Sequence, residues 1–315
     1  MDLSVVAVAR EDDSPVEEPV RVAVAADRLG YREVWAGEGP TWDSFVLAAA
    51  IGGATGRVAV TAGPVPVNVR DPYTIARGAA SVAALTGRPV GVALGTSSGR
   101  VVEGVHGRPR VRPAAVLEET AAAVRRHLHA VPGARVGAFR RRLPPPGGLL
   151  TVAAFGPRAI ATAAAHADRM LLDTVSPEQV RVLRGALDRA AEKAGRTPPT
   201  VAAWLPAAVD PAPESLAQVL GGIAGYLTVP GYRDVFADAG FGDAVALAAS
   251  GADRDALVRA LPPEAAATVG LVGDLEAVRA RIEAYAEAGL DEIALVPATA
   301  GDPAGEQTLT ALRPV

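Results

Sequence analysis

The segment of this chain best suited to holding an anion is Phe155-Gly156-Pro157-Arg158-Ala159. It joins an apolar strand to a helix, with Pro at the first helical turn and free backbone N–H groups behind it, which suits a phosphate; an ordinary strand-to-helix loop carries the same residues. Thr61-Ala62-Gly63-Pro64-Val65-Pro66 puts a Gly and two prolines where a strand ends, so the backbone there either bulges toward a ligand or forms a rigid loop. Glu38, just past another strand, could orient a substrate or exchange a proton; the plainer role is a loop acid in an ion pair. His106, in Glu103-Gly104-Val105-His106-Gly107-Arg108, follows the loop Gly95-Thr96-Ser97-Ser98-Gly99 and could act as an acid or base, although a lone histidine is more often structural. His127, His129 and His166 fall in helical contexts. No nucleophile elbow is present. With no cysteine, and four histidines not grouped with carboxylates, no metal site is expected.

These residues must be positioned by elements that the chain announces at both ends. Ala26 to Trp35 and Ala286 to Ala294 are each a helix end running into a strand, with Gly30 or Gly289 closing the helix and a Glu three positions later opening an apolar run. Between them the pattern alternates. Strands are expected at Leu3–Val8, Glu33–Ala36, Val58–Ala62, Val90–Leu94, Leu149–Ala154, Arg169–Asp173, Thr200–Val209 and Glu292–Pro297, with Pro206 making the end of its strand irregular. Helices are expected up to Gly30, then at Phe45–Gly53, Tyr73–Thr86, Pro113–Leu128, Pro157–Ala167, Pro177–Ala194 and Leu275–Ala288. About eight strands alternating with helices define an α/β fold, a (β/α)8 TIM barrel, as one domain over residues 1–315. Two irregular insertions interrupt it. One lies near 131–148, where Pro144-Pro145-Pro146-Gly147-Gly148 cannot form a regular helix or central strand, and the other near 221–251, in the mostly helical stretch Ser215 to Ala260 that contains the Gly-rich, aromatic turn Gly225 to Gly231.

The composition excludes several classes of function. Of 315 residues, 50% are hydrophobic and 21% charged, enough to fill a large core. A formal net charge of -4 gives no electrostatic case for a nucleic-acid partner. The N-terminus lacks a signal peptide's basic start and long apolar core, and no apolar run is long enough for a membrane helix, so a cytoplasmic protein acting on a small molecule is expected.

In such a barrel the site lies at the C-terminal ends of the strands, where Gly37–Trp42, Gly63–Arg70, Gly95–Arg100, Phe155–Arg158 and Asp173–Ser176 should converge. At these residues the chain resembles the luciferase-like flavin and deazaflavin oxidoreductases. The segments carrying the resemblance are Ala26–Glu38, Val58–Pro72, Gly91–Arg112, Val152–Asp173, Gly225–Tyr232 and Val272–Pro297, in the family's order. Gly95 to Ser98 followed by Val102 to Pro109, together with Gly225 to Pro230, is closer to the deazaflavin (coenzyme F-420) branch than to the FMN-dependent monooxygenases. The resemblance implies a cofactor ring carried on a bulge near Ala62 and Gly63, often with a non-proline cis peptide. It also implies a phosphate loop at Gly156, Pro157, Arg158 and Ala159, with Thr96, Ser97, Ser98 and Phe155 beside the cofactor. It implies hydride transfer between the deazaflavin and a small organic metabolite, with Glu38 and His106 as the candidate proton carriers, in an enzyme whose relatives often form homodimers. Glu38-Gly39 and Ser97-Ser98 stand where the family's sugar-phosphate dehydrogenases have an Asp-His pair and a Glu, which argues against a glucose-phosphate substrate. An FMN-dependent monooxygenase and a barrel that binds ligand without catalysis are the alternatives.

Overall fold

A computed structural model describes residues 1–130, 132–229 and 231–314; Val131, Pro230 and Val315, which fall within the expected first insertion, aromatic turn and domain end, lie outside the described residues. Eight parallel strands close on themselves: β1 Asp2–Ala7, β2 Glu33–Ala36, β3 Ala59–Pro66, β4 Val90–Gly95, β5 Gly147–Ala153, β6 Arg169–Asp173, β7 Thr200–Val209 and β8 Glu292–Pro297. Each pairs with the next, and β8 returns to β1 through Asp2↔Glu292 to Val5↔Leu295, so the sheet has no open edge. The barrel and its strand order match expectation. Helices α1 Glu18–Leu29, α2 Ser44–Ala54, α3 Pro72–Thr86, α4 Pro113–Leu128, α5 Pro157–His166 and α6 Pro177–Lys193 follow the first six strands.

Local chemistry sets the helix ends. Gly30 and Gly87 close α1 and α3 in left-handed conformations. Asp43 caps α2 by accepting from Phe45 N at 2.9 Å and Val46 N at 3.1 Å, and Ser176 with Gln179 forms a capping box on α6. The outer face of the sheet packs against the helices in one continuous apolar core that includes Val5, Val34, Val60, Val92, Val152 and Ile293.

The first insertion contains a small antiparallel hairpin, Arg135–Val136 with Phe139–Arg140, and it is shorter than expected: Gly147 and Gly148 open the central strand β5, where a Cβ on Gly148 would lie 2.2 Å from the β4 backbone at Gly91 N. The second is larger: α7 Pro213–Leu227, four short helical pieces from Arg233 to Ala260, and Ala265–Thr268 enclose a separate core around Ile223, Phe236, Phe241 and Leu257. The helix α7 runs to Leu227, so Gly225 and Tyr226 lie in its last turn and not in a loop. A short strand, Leu271–Gly273, then pairs parallel with the end of β7, and α8 Leu275–Glu287 leads into β8.

Pro206 corrects an expectation. The strand β7 passes through it without interruption. The neighbouring β6 ends at Asp173, opposite Trp204, and the Leu271–Gly273 strand joins only from Ala207, so the missing N–H of Pro206 falls in a gap where no ladder bond is needed. Among the described residues no helix is long and apolar enough to cross a membrane.

The barrel interior is layered, and its lowest layer is polar. Arg169, 2% exposed, opens β6 and spans the barrel: it donates to Glu292 at 2.6 Å, to Glu33 at 2.8 and 3.0 Å, and to Thr151 at 3.2 Å. Its guanidinium lies 4.1 Å from the centroid of the Trp35 ring, and the Trp35 indole N–H donates to Ser4 at 3.0 Å. Above it, Ala93, Ala153, Ala202 and Ala294 are small enough to admit Trp35 and Trp204, which meet edge to face at 5.7 Å. The barrel is thus plugged from below and open only at the C-terminal ends of its strands.

Candidate active site

At the end of β3 the ladder slips. Ala62 pairs with Val92 and Val65 with Leu94, so β3 spends three residues where β4 spends two. Gly63 is the residue that makes this feasible: its φ is +115°, and a Cβ there would sit 2.4 Å from the Ala93 carbonyl oxygen. The expected bulge is present at Ala62 and Gly63. The cis peptide is the bond from Gly63 to Pro64, which corrects the expectation of a non-proline one.

Two strands further on, β5 delivers Phe155 to Ala159. Pro157 begins α5, Gly156 precedes it in an extended conformation, and no side chain caps the helix. Gly156, Pro157 and Arg158 are exposed, so the first-turn N–H groups of Arg158 and Ala159 face solvent at the helix's positive end. On the intervening strand, β4, the loop Thr96-Ser97-Ser98 is pinned from behind. Arg110 donates to the Ser97 carbonyl at 2.9 Å and to Thr96 Oγ1 at 3.3 Å, and Ser98 Oγ accepts from Val101 N at 3.3 Å. Sequence reasoning missed Arg110, because nothing local shows that a residue beyond the Arg100–Val105 π-helix folds back onto the loop.

Glu38 has structural partners. It accepts from Arg70 at 2.7 Å and from Ser44 N at 2.8 Å, while the same Arg70 reaches Asp43 at 2.7 Å. One arginine therefore ties the loops after β2 and β3 to the start of α2. His106 is exposed, at the end of the π-helix that follows β4.

The second insertion brings a group that the strand pattern alone did not reveal. Tyr232 donates its hydroxyl to Asp173 Oδ2 at 2.6 Å, at the tip of β6, and Thr174 donates to Oδ1 at 2.8 Å. The Tyr232 ring stacks on Tyr226 at 4.6 Å and meets Phe155 edge to face at 5.1 Å. Burial pushes the Asp173 carboxyl above its ordinary range despite these donors. Both tyrosines are raised well above theirs, Tyr226 chiefly by the Asp173 charge and Tyr232 chiefly by burial. A carboxyl whose affinity for a proton is raised by burial, hydrogen-bonded to a phenol, can hold and pass a proton. The available signal was Asp173 at a strand's C-terminal end; Tyr226 lay in the turn Gly225 to Gly231 and Tyr232 just beyond it, and nothing in that mostly helical stretch pointed either phenol at Asp173.

A plugged (β/α)8 barrel with a bulged third strand, an uncapped helix after the fifth and a carboxyl–phenol pair at the sixth has the architecture of a TIM-barrel enzyme, with these features at the strand ends where such barrels carry their sites. The chain belongs to the luciferase-like monooxygenase family, whose pattern matches residues 1–292. No curated protein matches it significantly in sequence. Its fold is similar to that of the coenzyme F-420-dependent tetrahydromethanopterin reductase from Methanopyrus kandleri, with a TM-score of 0.80 at 16% identity over 99% of this chain and 98% of that one. It is also similar to an F-420-dependent secondary alcohol dehydrogenase in complex with an F-420–acetone adduct (TM-score 0.75, 17% identity, 99% of each chain). A third is the oxygenating constituent of 3,6-diketocamphane monooxygenase from Pseudomonas putida in complex with FMN (TM-score 0.68, 15% identity, 99% and 96%).

Proposed function

We propose that this luciferase-like barrel is a deazaflavin (coenzyme F-420)-dependent oxidoreductase that transfers a hydride between the cofactor and a small unsaturated or imine-like metabolite. The observation that carries the reading is the convergence, on one mouth, of the Gly63 bulge and the exposed, uncapped start of α5. A flavin-type cofactor needs a support for its ring and donors for its phosphate, and these residues fit both needs. Asn68 Oδ1 and Trp204 Nε1, buried and without partners among the described residues, add an acceptor and a donor for a polar ring edge. The resemblance of Gly95 to Pro109 to the deazaflavin branch, and a fold like that of two proteins described as F-420-dependent, support the deazaflavin over FMN.

Bound there, the deazaflavin would supply two-electron hydride chemistry. The chain's own part is positioning and proton handling. The N–H groups of Arg158 and Ala159 would hold the cofactor's phosphate, with Thr96, Ser97 and Ser98 alongside. The raised carboxyl of Asp173, relayed through the Tyr232 hydroxyl, gives or takes the proton that accompanies the hydride. Glu38 keeps Arg70 in place beside the β3 loop.

Separate titrations of the protein with the deazaflavin coenzyme and with FMN, followed by cofactor fluorescence, test the reading. Tight binding of the deazaflavin alone, and its reoxidation by an enone or imine, is the expected result. Selective FMN binding with substrate-coupled oxygen consumption would replace it with the monooxygenase that the family's description names, and binding of neither would leave a barrel without redox chemistry.

A further inference from the structure

A cavity opens at the C-terminal ends of β1 and β8, where Val6, Val8, Ala9 and Pro297 line it together with Thr41, Thr299 and the acids Glu11, Asp12 and Glu18. Arg10, three residues beyond β1, lines it. Its guanidinium donates to the Pro297 carbonyl oxygen at 2.6 Å, and among the described residues no carboxylate oxygen lies within salt-bridge distance of it. The acids on the same wall are engaged elsewhere. Asp12 accepts from Ser14 N at 3.0 Å and from Gln218 at 2.8 Å, Glu18 accepts from Ala304 N, and Glu11 pairs with Arg100 at 3.5 Å. Burial works against the Arg10 charge, with Asp12 and Tyr226 only partly offsetting it. An arginine keeps its proton under such conditions, so a cation with donors to spare faces a cavity of mixed lining whose carboxylates are bonded to other groups.

Placement separates this cation from the phosphate loop. In an eight-stranded barrel β1 and β5 are four strands apart, on opposite sides, with the β3 bulge between them. The start of α5 therefore serves one rim and Arg10 the other. We propose that Arg10 recognises the carboxylate of a small substrate whose apolar body lies against Val6, Val8 and Pro297; this rests on the oxidoreductase reading for the identity of the site. The planar guanidinium matches a carboxylate's two oxygens, and Glu11, Asp12 and Glu18 on the same wall repel a doubly charged phosphate about twice as strongly as a singly charged carboxylate.

The test uses the full chain with benzoate and its uncharged counterpart benzamide as probes, titrated calorimetrically at low ionic strength, alone and with the deazaflavin present. Benzoate should bind at least about tenfold more tightly than benzamide, the margin of a charge-assisted hydrogen bond. Arg10→Met and Arg10→Gln should abolish that margin, Arg10→Lys should keep part of it, and Arg158→Ala, on the opposite rim, should leave it intact. Deazaflavin affinity should be the same in the Arg10 variants as in the parent. Equal binding of the two probes to the parent, an undiminished margin in both Arg10→Met and Arg10→Gln, or loss of deazaflavin affinity with the margin retained would each overturn the assignment. Failure of the deazaflavin to bind a protein that still discriminates benzoate through Arg10 would instead overturn the cofactor reading and leave the carboxylate site standing.

Discussion

Replacing Arg169 by Met should cost this barrel about 3–5 kcal/mol at pH 8, because it strands two buried carboxylates on one missing cation. Arg169 is 2% exposed and bonds Glu292 and Glu33 together, and the side chains of those acids are themselves only 11% and 22% exposed. Met fills much of the volume, so the loss is chiefly electrostatic, with the Trp35 contact added to it. For 315 residues, at about 2 cal/mol/K of unfolding entropy each, 4 kcal/mol corresponds to a drop of about 6 °C in melting temperature. The sign of the pH dependence follows from Glu292. Burial already holds it above its ordinary 4.5, Arg169 opposes that shift, and Glu33 adds to it. Removing Arg169 raises it further. A carboxyl raised on folding contributes stability that is complete below the unfolded value and lost as pH climbs through the folded one, so the deficit should widen from pH 5 to pH 8. Thermal unfolding of Arg169→Met and of the triple variant Arg169→Met/Glu33→Gln/Glu292→Gln measures this. The triple variant should recover most of the loss. A single-variant deficit under about 1 kcal/mol at pH 8, or one equal at both pH values, would refute the argument.

Gly63→Ala should cost roughly 2 kcal/mol or more and weaken deazaflavin binding, since a Cβ at a positive φ meets the Ala93 carbonyl oxygen at 2.4 Å; chemical denaturation and a fluorescence titration read the two effects. Tyr232→Phe deprives Asp173 Oδ2 of its phenol donor, so stability should fall by about 1–3 kcal/mol, more at pH 8 than at pH 5, because the loss penalises the charged carboxylate. In Asp173→Asn the decline in stability that a raised carboxyl imposes with rising pH should disappear, so its melting temperature should gain on the parent's from pH 5 to pH 8; a constant difference would count against a raised Asp173. Glu38→Gln keeps an acceptor for Ser44 N and leaves Arg70 its bond to Asp43, so the loss should be about 1 kcal/mol with deazaflavin affinity unchanged. A large fall in that affinity would place Glu38 on the cofactor itself.

The barrel was legible in the chain because its signals are local. Apolar runs of strand length, Gly at helix ends, Pro at first turns and Asp or Ser caps each act within a few residues, and their alternation leaves few topologies open. The Gly63 bulge and the bare start of α5 were legible for the same reason, since a Gly between a strand and a Pro, or a Gly-Pro pair before a helix, constrains its own backbone. The rest depended on closure. Arg169, Glu33 and Glu292 open three different strands, and only the barrel's curvature turns them toward one axis as a plug. The continuity of β7 through Pro206 depended on where its neighbours end. Tyr232 is 59 residues from Asp173 along the chain, and Arg10 is 287 from Pro297; no periodicity relates such positions. The sequence by itself determined the barrel's eight strands, most of its helices and the two backbone features that suit a cofactor. Which charged and phenolic groups share the mouth was decided by tertiary structure, because hydrogen bonds between side chains act over ångströms of space and carry no signature in sequence separation.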